Sequence, residues 1–340
     1  MGDVIHALPA ATALRKAFPQ AILGWVVEER WAELLCTLRT PRAGPRTAQR
    51  PLVDRIHVMN GARWRSALLS TQTWEQVAAG LSELRAVRYQ VAVDFQGAAR
   101  SALIARWSGA QTIYGTAYPR ENVASMFYTR QVLTRGTHVI EQNLSLAEAV
   151  AQRPLSLLPL EFPHDPDAEE ECSHRLRDRG FGRFAVLNPG AGWGAKQWPP
   201  ERYGAVAKGL LALGLKSFIN FGPGEEELAR VVETTSDGAA EGLTCSLTQL
   251  IATMRRASLF VGGDTGPMHL AAALGIPVVA IFGPTDPARN GPFSPRSIVL
   301  RSAASSTSHA RRSAPDAGLL QIQPAQVIAA ACQLFETCRG

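Results

Sequence analysis

The chain has 340 residues, 46% of them hydrophobic, and a formal net charge of +6. That length suits two domains of ordinary size, with enough apolar side chain for a substantial core. No apolar run reaches the roughly 18 residues that cross a bilayer. The start, MGDVIHALPA, has no basic segment followed by an apolar one, and the basic residues are spread except at Arg311-Arg312. A membrane-spanning protein, a secreted one and a nucleic-acid binder are therefore disfavoured, and an acidic substrate or an anionic membrane surface fits the charge better.

Cys36, Cys172, Cys245, Cys332 and Cys338 are odd in number and scattered. They show neither metal-ligand nor disulfide-framework spacing, which suits a reducing cytosol.

The first predicted element is a turn and helix from Asp3 to Phe18, with Pro9 near the helix start and Pro19 as its stop. A strand follows at Ala21–Val27, then helix over Trp31–Leu38 and an Arg/Pro-rich loop at Arg39–Pro51. Arg55–Met59 and Val91–Asp94 read as strands on either side of a helix over Trp74–Val87. Phe95-Gln96-Gly97 leads into a helix ending near Trp107. Thr112–Gly115 is a strand, Tyr118–Thr129 a loop or short helix, and Val139–Gln152 a helix. Pro154–Pro166 holds four prolines and reads as a linker.

Beyond it come a charged helix (Asp167–Arg179), a strand (Phe184–Leu187), a long turn and a helix over Pro200–Leu213. Lys216–Phe221 is a strand, Glu225–Thr234 and Leu247–Arg256 are helices, and Leu259–Val261 is a buried strand. Met268–Leu274 is a helix capped by Gly275, and Val278–Phe282 a strand. Ser302–Asp316 reads as a flexible loop and Pro324–Thr337 as the last helix. Strand-helix alternation in both halves predicts two doubly wound α/β domains, residues 1–160 and 161–340. The last helix is expected to pack back toward the first domain.

Three turns in the second half follow strands, and ligands of open α/β sheets bind at that edge. Asp264-Thr265-Gly266-Pro267 opens a helix whose free N–H groups and positive dipole end can seat a phosphate. The same residues suit a plain N-cap. His269 lies one turn inside, as a side chain bonded to a nearby loop or as a phosphate or sugar contact. Asn188–Pro199, NPGAGWGAKQWP, carries GxGxG rather than GxGxxG, and no acidic residue closes the following strand, so it is not the dinucleotide fingerprint. A Gly-rich loop with Lys196 can wrap a diphosphate, or be an ordinary βα loop with a solvated lysine. Glu225 in GPGEEE suits a helix start, or accepts from a ribose or base. Asp3 can cap a helix or take a proton from an attacking hydroxyl.

MGDVIHALPA, DFQGAARS, KQWPPERY, GPGEEE and GGDTGPMHLAAALGIPVVAIFGPTDP together resemble the bacterial lipopolysaccharide heptosyltransferases, glycosyltransferase family 9. YPRENVASMFYTR looks most like the heptosyltransferase I branch. The resemblance runs from about residue 1 to residue 300. It implies two Rossmann-like domains facing across a cleft (the GT-B arrangement) and an inverting transfer without metal or other cofactor. The donor would be ADP-heptose, held by the second domain. The acceptor would be the Kdo of nascent lipid A, bound by the first domain at the cytoplasmic face of the inner membrane, with no nucleic acid partner. By position in these motifs, Asp3 would be the general base and Lys196 the ligand of the donor phosphates. Glu225 would lie near the adenosine. Asp264 would meet the heptose hydroxyls, with Thr265, Gly266 and His269 completing its motif. Arg120, and Arg63 or Arg65, would meet the acidic acceptor.

The sequence departs from the family in two places. The family's first strand, ending just before the MGD motif, is absent, so the first domain is expected to lack it. Gln142 stands where some relatives carry an acceptor-side arginine. The rival expectations are heptosyltransferase II or another nucleotide-sugar transferase of this architecture, a two-domain binding protein, and a truncated inactive paralogue.

Overall fold

The computed structural model describes residues 1–59, 70–308, 310 and 312–336. The chain divides into two compact units: residues 3–164, and residues 165–340 together with Met1 and Gly2.

The first unit opens with helix α1 (Gly2–Ala17). Pro9, expected near a helix start, lies inside it. A mid-helix proline removes one backbone hydrogen bond. Here Ile5 to Ala11 are all buried, and that packing outweighs the loss. Asn143 Nδ2 also donates to the His6 carbonyl at 3.0 Å, tying α1 to the later helix α4 (Val139–Ala151). Between them run β1 (Gly24–Val27), β2 (Arg55–Val58), α2 (Thr71–Ala86), β3 (Val91–Asp94), α3 (Ala99–Trp107), β4 (Thr112–Thr116) and β5 (Arg130–Val132). The helix expected over Trp31–Leu38 is a 3-10 turn at Glu29–Leu34, and another spans Asn122–Phe127. All strand pairs are parallel and form two sheets, β1-β2 and β3-β4-β5. β5 escaped the sequence reading, because a three-residue strand, RQV, shows no period.

The second unit is a single six-stranded parallel sheet with helices between successive strands. In chain order these are α5 (Pro166–Asp178), β6 (Phe184–Asn188), α6 (Pro200–Ala212), β7 (Lys216–Asn220), α7 (Glu226–Thr235), β8 (Ala240–Leu243), α8 (Leu247–Arg256) and β9 (Leu259–Gly263). Then come α9 (Gly266–Ala273), β10 (Val278–Phe282), α10 (Pro287–Asn290), β11 (Ser297–Arg301) and α11 (Pro324–Glu336). The strand order is β8-β7-β6-β9-β10-β11. Numbered from β6, this is the 3-2-1-4-5-6 order of a doubly wound Rossmann-type sheet. Central strands β6, β9 and β10 are buried along their whole length, as expected of a sheet covered on both faces.

α11 packs against α6, with Val327, Ala330 and Ala331 buried in the core that holds Val206, Leu210 and Val279. Its apolar face is needed to close that side of the sheet. The edge strands β8 and β11 were not foreseen, since AEGL is polar and SIVLR, half-buried along its length, is flanked by arginines rather than by turn glycines.

Candidate active site

The second unit's strand order reverses between β6 and β9. At that point neighbouring loops diverge and leave a crevice at the carboxyl edge of the sheet. Lys196 comes from the loop after β6 and Asp264 from the turn after β9. The structure joins them: Lys196 Nζ donates to Asp264 Oδ2 at 2.5 Å. His269 Nε2 lies 3.4 Å from Asp264 Oδ1, and the ammonium sits 4.3 Å above the Trp193 ring. The side chains of Lys196, Asp264 and His269 are 11%, 8% and 6% exposed, so Lys196 is not the solvated lysine of an ordinary loop.

Burial by itself would raise the Asp264 pKa, but the hydrogen bond from His269 and the charge of Lys196 outweigh it and hold the carboxyl well below its usual range. The sign follows from that direction. A depressed folded pKa contributes stability that is complete above the ordinary carboxylate value and is lost only as the pH falls through the depressed one. Asp264→Asn breaks a buried pair and should cost about 3–5 kcal/mol. Urea unfolding should show this gap unchanged from pH 7 down to about 4. A gap that closes between pH 7 and 5 would contradict the pairing.

Thr265 stands at the N-cap position of α9, yet its side chain makes no cap bond. It donates to the Gly263 carbonyl at 3.3 Å instead. Asp264 is occupied by Lys196 and His269, so neither residue acts as a side-chain cap. The α9 dipole and the first-turn amides of Gly266 and Met268 remain at the crevice. Sequence reasoning overlooked the group that holds these loops together. Asn188, at the end of β6, donates to Gly190 O at 2.9 Å and to Thr265 Oγ1 at 3.5 Å. It accepts from Asn220 of β7 at 2.6 Å. Two asparagines that each end a buried strand were the available signal. Glu225 Oε2 accepts from the Gly222 amide at 2.8 Å. A Cβ at position 190 would come within 2.2 Å of that carboxylate, so the glycine lets the loop lie close against Glu225 as it stands.

In the first unit, Asp3 lies within the first turn of α1, exposed. Gln96 Nε2 donates to Asp3 Oδ2 at 3.4 Å. The turn that presents Gln96 is built on Asp94, 4% exposed at the end of β3. Asp94 Oδ1 accepts from the amides of Gln96 (2.9 Å) and Gly97 (3.2 Å). Its Oδ2 accepts from Ser101 Oγ (2.9 Å) and Tyr128 OH (2.7 Å). Burial, reinforced by the Asp94 charge, pushes the Tyr128 phenol far above its usual range and keeps it a donor. Gly97 has φ +65°, and a Cβ there would meet the Arg120 backbone nitrogen at 3.0 Å. Arg120 is thereby set beside the turn that carries Gln96. Arg63 and Arg65 lie outside the described residues. Gln142, in α4, donates to the carbonyls of Gly136 and Thr137. Among the described residues no cluster of three His, Cys, Asp or Glu side chains could hold a metal ion, and no helix is long and apolar enough to cross a membrane.

Comparison with known proteins gives one answer at the level of family. The model of glycosyltransferase family 9 (heptosyltransferase) matches residues 77–317. Lipopolysaccharide heptosyltransferase 1 of Pseudomonas aeruginosa is 30% identical over 307 residues, covering 89% of this chain and 81% of that protein. Among solved structures, E. coli heptosyltransferase WaaC with ADP superposes with a TM-score of 0.75 at 25% identity, covering 99% of this chain and 96% of that one. E. coli ADP-heptose lps heptosyltransferase II, at 20% identity, shares the fold with a TM-score of 0.76, covering 100% and 97%.

Proposed function

Because the chain belongs to glycosyltransferase family 9, the heptosyltransferase family, we propose that it transfers L-glycero-D-manno-heptose from ADP-heptose to a Kdo sugar of the lipopolysaccharide inner core. The observation that carries the reading is the buried Lys196-Asp264-His269 group at the strand-order switch, beside the first turn of α9. An ammonium and helix-end amides at that edge are what a departing nucleoside diphosphate requires. The ADP bound by WaaC supports the nucleotide assignment.

In this mechanism Asp3 accepts the proton of an acceptor hydroxyl. The hydroxyl oxygen attacks the anomeric carbon of heptose from the face opposite the diphosphate. The bond from that carbon to the diphosphate oxygen breaks, and ADP leaves with the electron pair. Attack from behind inverts the anomeric centre. Lys196 shifts its ammonium from Asp264 toward the phosphates. The freed Asp264 oxygen then accepts from a heptose hydroxyl, while His269 holds the other. The Gly266 and Met268 amides take up part of the developing charge, so this reading assigns no step to a metal. Glu225 lies beside the adenosine ribose, and Arg120 meets the acceptor carboxylate with a planar, two-pronged charge. The reaction needs Asp3 and the donor site to act on one pair of substrates, at the cytoplasmic face of the inner membrane where the acceptor is made.

A donor panel tests the reading. ADP-heptose should be consumed with a kcat/KM at least on the order of a hundredfold above UDP- and GDP-sugars, with Kdo-terminated acceptor required for transfer. Preference for a uridine or guanosine donor would overturn it, and preference for an already heptosylated acceptor would reassign the step to the next heptose.

A further inference from the structure

The segment joining β11 to α11 has no regular element between residues 302 and 318 among those described, yet it is tied down along its course. It leaves the edge strand at Arg301. The Arg301 Nε donates to the Gly283 carbonyl at 3.1 Å, and its Nη2 donates to Ser305 O (3.3 Å) and Thr307 Oγ1 (2.9 Å). The Ser308 amide then donates at 2.8 Å to the Pro284 carbonyl, in the loop after β10. Further on, the segment reaches the loop after β6, two strands beyond β10 in the sheet. There it takes both backbone groups of Ala195. The Ala195 amide donates to Arg312 O at 3.0 Å, and its carbonyl accepts from the Asp316 amide at 3.2 Å. Ala195 is buried and immediately precedes Lys196.

The Lys196 loop carries Gly190, Gly192 and Gly194, and a Gly-rich backbone has much conformational freedom to lose before it holds one shape. Its own contribution beside Lys196 is a single 3-10 turn, with the Lys196 amide on Trp193 O (3.1 Å) and the Gln197 amide on Gly194 O (2.9 Å). The crossing segment supplies the rest. It lies so close that a Cβ at Gly194 would fall 1.7 Å from the Ser313 carbonyl oxygen. Asp316 fastens it there. Its Oδ1 accepts from Ser305 Oγ (2.6 Å) and from the Leu319 amide (3.1 Å), and Leu319 is buried in the main core of this unit. One carboxylate oxygen therefore joins the start of the segment to its end and anchors both to the core. The same residue's amide is then set against Ala195.

We propose that residues 302–318 form a strap that holds the backbone at Lys196 in place for the leaving diphosphate, with Asp316 as its positioning residue. The proposal deepens the preceding reading and rests on its assignment of Lys196 to the donor phosphates. With the backbone held at Ala195, the Lys196 side chain alone has to move from Asp264 to the phosphates. Asp316→Ala should lower kcat by roughly 10–100-fold, the cost of misplacing a catalytic group by about 1 Å, and leave the donor KM nearly alone. Asp316→Asn keeps a carbonyl oxygen for Ser305 and Leu319 and should stay within about threefold of the parent. In a Lys196→Ala background, Asp316→Ala should cost less than about a further twofold, because both changes remove one interaction. A strap that only stabilises the sheet edge gives losses that multiply. Amide hydrogen exchange follows the strap without any turnover. Asp316→Ala should speed exchange of the Ala195 amide by at least on the order of tenfold and leave the β7 amides as they are. Should Asp316→Ala not fold, Ser305→Ala removes one of the two bonds to the same oxygen and should give the same pattern at smaller size. Unaltered Ala195 exchange, unaltered kcat or multiplying losses overturn the proposal. The coupling is measured on whichever nucleotide sugar the enzyme turns over, so a donor other than ADP-heptose sinks the preceding reading and leaves this test standing.

Discussion

Lys196→Ala should lower kcat/KM for the sugar-nucleotide donor by roughly 10²–10³-fold, the scale of removing one preorganised charge-stabilising group. The loss should fall mainly on kcat, because charge on the leaving diphosphate is greatest in the transition state. The structure supplies the competing account. Lys196 is bonded to Asp264 at 2.5 Å, so the lysine could serve only as the counter-ion of a buried carboxylate. The two accounts separate in the double variant Lys196→Ala/Asp264→Asn. If Lys196 is only a counter-ion, the single variant is unstable because Asp264 is left buried without its ammonium, and the double variant recovers stability and turns over like Asp264→Asn alone. If Lys196 meets the diphosphate, stability recovers and turnover stays well below that of Asp264→Asn. Steady-state kinetics and urea unfolding on the same three proteins decide between them, and unchanged kinetics in Lys196→Ala would remove this residue from the mechanism.

Asp3→Asn should lower kcat by roughly 10²–10⁴-fold, as expected for loss of a general base, with ADP affinity unchanged by calorimetry. The size of the effect matters because Asp3 also has a structural use. It lies in the first turn of α1, where a carboxylate stabilises the helix by only about 0.3–1 kcal/mol. A small shift in melting temperature beside a large loss of transfer is thus the signature of chemistry. An equal loss of transfer and ADP binding would mark a structural role. Gln96→Leu should fall between parent and Asp3→Asn, by roughly 10–100-fold, because a base loses efficiency when its orientation is relaxed. Gln96 touches Asp3 at 3.4 Å and is itself set by the Asp94 turn, so its effect should appear in kcat and leave the donor KM alone.

Much of the second unit was legible because its strands are buried on both faces. Continuous apolar runs bounded by glycine, such as VVAIF before Gly283, can be little else in an alternating α/β chain. The short strands were not legible: RQV and AEGL have too few residues to show a period, and they exist because a neighbouring strand pairs with them. Pro9 inside α1 likewise runs against local preference, and only the packing of the buried stretch Ile5 to Ala11 explains it.

The sequence by itself determined which side chains are available for chemistry, namely a lysine in a Gly-rich loop, an Asp-Thr-Gly turn at a helix start and an acid near residue 1. Those are local matters, governed by turn geometry and helix-end polarity. Only the tertiary structure decided that Lys196 and Asp264, 68 positions apart, form a buried ion pair. It alone joined Asn188 to Asn220 and Thr265, and Gln96 to Asp3. Such pairings follow from strand order, which places one loop beside another, and strand order is set by how the whole sheet buries its two faces.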